Sequence, residues 1–129
     1  GTDPFWRHLL FTIPGLETMH AYVPASASTV TIFGAYKGYG SSPPTTEDLW
    51  FDVDHWDSAT TAHRAHSSTR GTSALTSDNS TWVGDGNLTS FKMAIAMTPG
   101  QASLVPIRIF LAKRYPGAYV YIDPKPVVS

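Results

Sequence analysis

Apolar and polar residues alternate along most of this chain, in short stretches cut by Pro or Gly. A period of two is the signature of β-strands, and spacing of the helical kind is nearly absent. Phe5–Ile13 alternates, with Phe5, Arg7, Leu9, Phe11 and Ile13 on one side and Trp6, His8, Leu10 and Thr12 on the other, before Pro14-Gly15 ends it. Met19–Val23 is a second, shorter strand closed by Pro24, and Ser28–Lys37 a third, with Val30, Ile32 and Tyr36 in phase. Gly38–Thr46 carries Gly, Ser and Pro43-Pro44 and reads as a loop.

The strictest alternation is at Leu49–Asp57. Leu49, Phe51, Val53 and His55 are expected inward, and Trp50, Asp52, Asp54 and Trp56 outward. Ser58–Thr81 is polar apart from Leu75, as edge strands or long rim loops would be. Core strands resume at Leu88–Met97, with Phe91, Met93, Ile95 and Met97 in phase, and at Val105–Lys113, with Val105, Ile107, Ile109 and Leu111 inward and Arg108 outward. Tyr115-Pro116-Gly117-Ala118 has Pro second and Gly third, as a type II turn requires. Ala118–Asp123 returns as a strand, stopped by Pro124. Eight or nine strands with turn signals between them predict an all-β, two-sheet antiparallel sandwich, jelly-roll-like, in one domain over residues 1–129.

Composition agrees. The chain has 129 residues, 13 of them Ser and 15 Thr, while charged residues make up only 15 %, so hydroxyls stand in for charges on a turn-rich surface. A formal net charge of −1 speaks against nucleic acid as partner, since phosphate neutralisation needs clustered Lys and Arg in excess. Residues 1–62 hold two basic and seven acidic side chains, and residues 63–129 seven basic and three acidic. That split is ordinary scatter or complementarity between neighbouring copies. Cysteine is absent, which removes disulfides, thiolate chemistry and cysteine-based metal sites. No apolar run approaches the ~20 residues of a membrane-spanning helix, and no signal peptide is read. The chain opens on Gly1, as a trimmed, tagged or excised piece would.

Trp50 and Trp56 beside Asp52 and Asp54 are the pattern with which lectin-like domains grip sugars, the ring stacking on a pyranose while acids accept from its hydroxyls. The same pattern serves a face covered by a second layer, another chain or the Gly38–Thr46 loop. Tyr36 and Tyr39 extend either surface. Asp52, Asp54 and Asp57 lack the spacing of a calcium loop, and Asp85-Gly86-Asn87 reads as a turn. His63-x-x-His66, with His55 nearby, has zinc-like spacing, but residues three apart on a strand point to opposite faces. There is no Gly-x-Ser-x-Gly elbow or phosphate-cradling loop. A carboxylate pair such as Asp52 or Asp54 with Glu47 would be the only glycosidase candidate, and no enzyme is expected. Asn79-Ser80-Thr81 and Asn87-Leu88-Thr89 fit the N-glycosylation pattern, which a chain rich in Ser and Thr matches by chance.

The order of Ser28–Lys37 (STVTIFGAYK), a Gly/Ser/Pro loop, Leu49–Trp56 (LWFDVDHW), Asn87–Met97, Val105–Ala112 and Ala118–Asp123 (AYVYID) resembles the jelly-roll, carbohydrate-binding-module-like sandwiches of secreted glycosidases and tailed-phage virion proteins. The resemblance covers roughly residues 28–124 and rests on short apolar runs. It implies a structural calcium held in part by the closing aspartate, here Asp123, although Pro124 stands where many members have a second acid. It also implies sugar-stacking aromatics, for which Trp50, Trp56 and Trp82 are the candidates. The expected function is a non-enzymatic structural or attachment module of a phage-like virion, such as a capsid-surface, tail or fibre domain. Its partners would be neighbouring subunits, copies of itself included, and a host-surface glycan, and its location the virion or the extracellular space. The alternatives are a carbohydrate-binding module of a secreted polysaccharide-degrading enzyme and, last, a small hydrolase.

Overall fold

A computed structural model describes residues 7–56, 64–72, 75–79, 82 and 86–129. Ten strands run through them: β1 Leu9–Phe11, β2 Gly15–Val23, β3 Thr29–Lys37, β4 Leu49–Trp56, β5 Arg64–Ser68, β6 Thr76–Ser77, β7 Thr89–Ala96, β8 Ser103–Leu111, β9 Tyr119–Ile122 and β10 Val127–Val128. They form two antiparallel sheets. One runs β1-β9-β3-β7-β6, with β10 also pairing β3, and the other runs β2-β8-β4-β5. Apart from β4 to β5, β6 to β7 and β9 to β10, each strand is followed by one in the opposite sheet, a wrapping compatible with a jelly roll.

The core lies where alternation put it. Val30 and Ile32 of β3, Leu49, Phe51 and Val53 of β4, Phe91 and Met93 of β7, Val105, Ile107 and Ile109 of β8, and Val120 and Ile122 of β9 are buried between the sheets. Burying each such side chain is worth roughly 1.5–3 kcal/mol. The expected turn is present. Gly117 has φ +77°, and the Ala118 N–H donates to the Tyr115 carbonyl at 3.0 Å. The polar stretch expected at the rim supplies two short edge strands, β5 beside β4 and β6 beside β7.

Two expectations are corrected, and one glycine has a role that the pattern does not announce. Within residues 7–13 only Leu9–Phe11 is strand, because Thr12–Pro14 carries the chain from one sheet to the other and leaves Ile13 exposed. β2 starts at Gly15, four residues before its apolar part, since pairing with β8 continues to Gly15↔Leu111. Gly34, in the middle of β3, has no turn to make. A Cβ there would come within 2.3 Å of the Phe91 ring and 2.7 Å of the Tyr121 carbonyl oxygen, so close packing excludes a side chain.

Candidate functional site

The outer face of the four-stranded sheet holds four of the expected site residues. Register sets them in cross-strand rows, since side chains opposite one another lie on the same face. Leu16, Phe110 and Trp50 form one row, and Thr18, Arg108, Asp52 and Ser68 the next. Then come His20 with Pro106, Asp54 with His66, Tyr22 with Leu104, and Trp56 with Arg64.

At the loop end of this face the Trp50 and Phe110 rings stack, with centroids 5.0 Å apart and planes 8° from parallel. The Arg70 guanidinium lies 4.4 Å from the indole centroid. Phe110 comes from β8 and Arg70 from just beyond β5, the neighbours on either side of β4, so the indole is approached from both flanks. A pyranose would have to displace one of them. Trp56 is half-buried, with Arg64 over its ring at 5.1 Å.

The centre of the face is ionic. Asp52, expected to face solvent, is buried beneath its neighbours: Arg108 donates to its Oδ2, and His66 Nδ1 lies 3.1 Å from the same oxygen and 3.0 Å from Arg108 Nη2. Asp54 accepts from Arg64 Nε at 3.2 Å. Both carboxylates are thus engaged by guanidinium groups on adjacent strands, and a sugar hydroxyl would compete with a charge-assisted bond.

Large apolar side chains rim this ionic centre. Leu16 is 54 % exposed, Tyr22 62 % and Leu104 63 %, all on the same face. These residues, with Arg64, Arg70, Arg108 and Phe110, were not singled out as a site in the sequence, and His66 was weighed there only for its zinc-like spacing to His63. Arg108 reads as outward from its alternation, but strand order and register decide what it meets.

The remaining expected residues lie elsewhere. Trp82 is 2 % exposed and packs with Ala35 and Tyr121 on the outer face of the six-stranded sheet. It therefore shares no surface with Trp50 and Trp56. His8 lies against it, with ring centroids 4.1 Å apart, and His8 Nε2 is 3.9 Å from Asp123 Oδ2. Asp123 is buried, and its Oδ1 accepts the Lys125 N–H at 2.9 Å, capping the turn that ends β9. His55 is buried with both ring nitrogens engaged, Nδ1 at 2.9 Å from the Trp56 carbonyl and Nε2 at 2.9 Å from Ser67 Oγ. His63 and Asp57 lie outside the described residues, among which no group of three His, Asp or Glu could hold a metal ion.

Tyr36 and Tyr39 sit at the loop end. Tyr39 is buried, donates its hydroxyl to the Lys113 carbonyl at 3.1 Å, and meets Tyr36 and Tyr115 edge-on at 5.8 and 5.6 Å. Burial, helped by the Asp48 carboxylate, pushes its phenol up to about 12. Burial raises Tyr36 as well. Beside them an open groove of about 490 Å³ runs between Ser42–Thr46 and Gly71, Thr72 and Leu75, with Pro43 and Pro44 in its wall.

No family model matches the chain, and no curated protein and no solved structure matches it either.

Proposed function

We propose that the chain is a non-catalytic contact module, of the kind that repeats in a phage-like virion, and that it meets neighbouring subunits through the outer face of its four-stranded sheet. One observation carries this reading: Leu16, Tyr22 and Leu104, each more than half exposed, rim a centre of paired charges on a single sheet face. Protein interfaces favour aromatic side chains and Arg, and the face holds Trp50, Trp56, Phe110, Arg64, Arg70 and Arg108. Four strands at about 4.8 Å and eight or nine residues at about 3.4 Å span on the order of 500 Å². Two such faces would cover on the order of 1,000 Å², the lower end of specific interfaces. Jelly rolls serve both viral capsids and lectins, so the fold by itself favours neither use.

The test is solution mass by light scattering at tens of micromolar, and again after tenfold dilution. Concentration-dependent assembly that Leu104→Glu abolishes supports the reading, whereas assembly indifferent to that substitution removes this face. The second reading is a carbohydrate-binding module, and the half-open Trp56 ring favours it. A monomer whose retention on a glycan panel disappears with Trp56→Ala would replace the first reading with this one.

A further inference from the structure

Among the described residues, the strand β2 forms one margin of the four-stranded sheet and pairs only with β8. Its far side, from Gly15 to Val23, receives no backbone hydrogen bond among the described residues. Proteins usually guard an edge this long with Lys, Pro, a bulge or a short strand. This one has nine residues, no Lys and no Pro, and Glu17 as its one carboxylate. Of the other marginal strands, β1 has three residues, β6 and β10 two each and β5 five.

The residues that β2 turns outward read Leu16, Thr18, His20, Tyr22, which is apolar, polar, polar, apolar about Met19. Met19 is also the midpoint of the strand. We propose that β2 pairs antiparallel with β2 of a second copy, Met19 opposite Met19, joining two four-stranded sheets into one of eight. This rests on the reading of the chain as a contact module and names its partner as another copy of itself.

Register selects this arrangement. Opposed residues must share a face, so the two-fold axis passes through a residue. Centred on Met19, all nine residues of each strand are paired, making roughly eight to ten ladder hydrogen bonds. Exposed Leu16 then lies opposite the partner's exposed Tyr22, and Thr18 opposite the partner's His20. Glu17 faces the partner's Ala21 and stands about 14 Å along the strand from the other Glu17, beyond the Debye length of about 8 Å at physiological salt. Centring on Glu17 would set the two carboxylates directly opposite. Centring on Thr18 would put Leu16 against His20 and leave residues at both ends unpaired. Only the Met19 axis matches apolar with apolar and keeps like charges apart.

The chain has no cysteine, so introduced thiols report geometry alone. In the proposed register Leu16→Cys combined with Tyr22→Cys places two symmetric thiol pairs directly opposite one another, within about 5.5 Å at Cβ. Within one chain those positions are about 20 Å apart, as are the two copies of either single variant across the axis. Mild oxidation of the double variant should give a covalent dimer in high yield, with each single variant at least tenfold less. Leu16→Lys, a charge on the edge, should shift the wild-type dimer to monomer at the same concentration.

Equal cross-linking by single and double variants would overturn the register. A wild type that is monomeric throughout, with no cross-linking of the double variant, would overturn the edge pairing. Assembly that survives Leu16→Lys but is lost with Leu104→Glu would also overturn it, while leaving the contact-module reading in place.

Discussion

The indole of Trp50 and the ring of Phe110 form one stack across the neighbouring strands β4 and β8, centroids 5.0 Å apart and planes 8° from parallel. Arg70 reaches the indole from the other flank and also donates to Glu47 at 3.3 Å. The indole is therefore flanked on both sides and is not left open for stacking.

Removing the indole should lower stability without unfolding the domain. Trp50→Ala is expected to cost about 2 kcal/mol, less than for a core aromatic because the ring is only half-buried. Arg70→Ala should cost about 1 kcal/mol, mostly through its contact with the indole, since its ion pair with Glu47 is open to water. A double-mutant cycle on the two should show a coupling of about 0.5–1 kcal/mol, read from urea midpoints. Zero coupling would mean that the guanidinium does not rest on the ring in solution.

Buried Asp52 holds the partly exposed Arg108 and His66 together at the centre of the same face. Asp52→Ala leaves Arg108 facing only His66 and should cost about 1–3 kcal/mol, moderated because Arg108 is over a third exposed. Pairing it with Arg108→Leu should recover most of that loss, as both partners are then gone. If the double variant is as unstable as the sum of the two singles, the residues do not act as a pair.

Gly34→Ala tests packing at a position where no turn demands glycine. The added methyl would meet a fully buried Phe91 ring and a backbone carbonyl, and about 2–3 kcal/mol should be lost. Phe91→Leu in the same chain relieves the ring but not the Tyr121 carbonyl, so recovery should be incomplete. Thermal melting of the three variants decides it.

Tyr39 makes stability depend on alkaline pH. Its folded-state phenol is raised to about 12, above the unfolded value near 10, so the unfolded chain releases this proton first. The contribution is fully present below pH ~10 and disappears as pH rises from there through about 12. Tyr36, raised by the same burial, adds a slope of the same sign. Denaturant midpoints between pH 9 and 11.5 should fall for the wild type and fall less steeply for Tyr39→Phe.

Asp123 provides a direct test of metal dependence. One oxygen caps the Lys125 N–H and the other faces His8, whereas calcium takes six to eight oxygen ligands. Added chelator should leave the melting temperature unchanged, and Asp123→Ala should lower stability by about 1 kcal/mol through the lost cap. A fall on chelation that calcium reverses would restore the ion as part of the fold.

The strands and their inward faces were legible because period-two alternation reports burial directly. Leu49, Phe51 and Val53 point inward as expected, and the type II turn at Tyr115–Ala118 follows from Pro116 and Gly117 alone. The candidate site was legible only in part. Trp50, Asp52, Asp54 and Trp56 share a face, which alternation requires, but their partners Phe110, Arg108, Arg64 and Arg70 come from neighbouring strands and a turn, as far as Phe110 and Arg108 on β8.

The sequence by itself determined which stretches are strands, which sides are apolar and where the chain turns, because those properties depend on residues within a few positions of one another. Strand order and register were decided only by the tertiary structure, through long-range pairing that local pattern does not encode. Order placed Trp82 on the sheet opposite Trp50, left β2 at a margin and brought Arg108 over Asp52. The same alternation along β4 is compatible with an open sugar platform or a closed ionic face. Which one forms depends on the side chains that the neighbouring strands bring alongside.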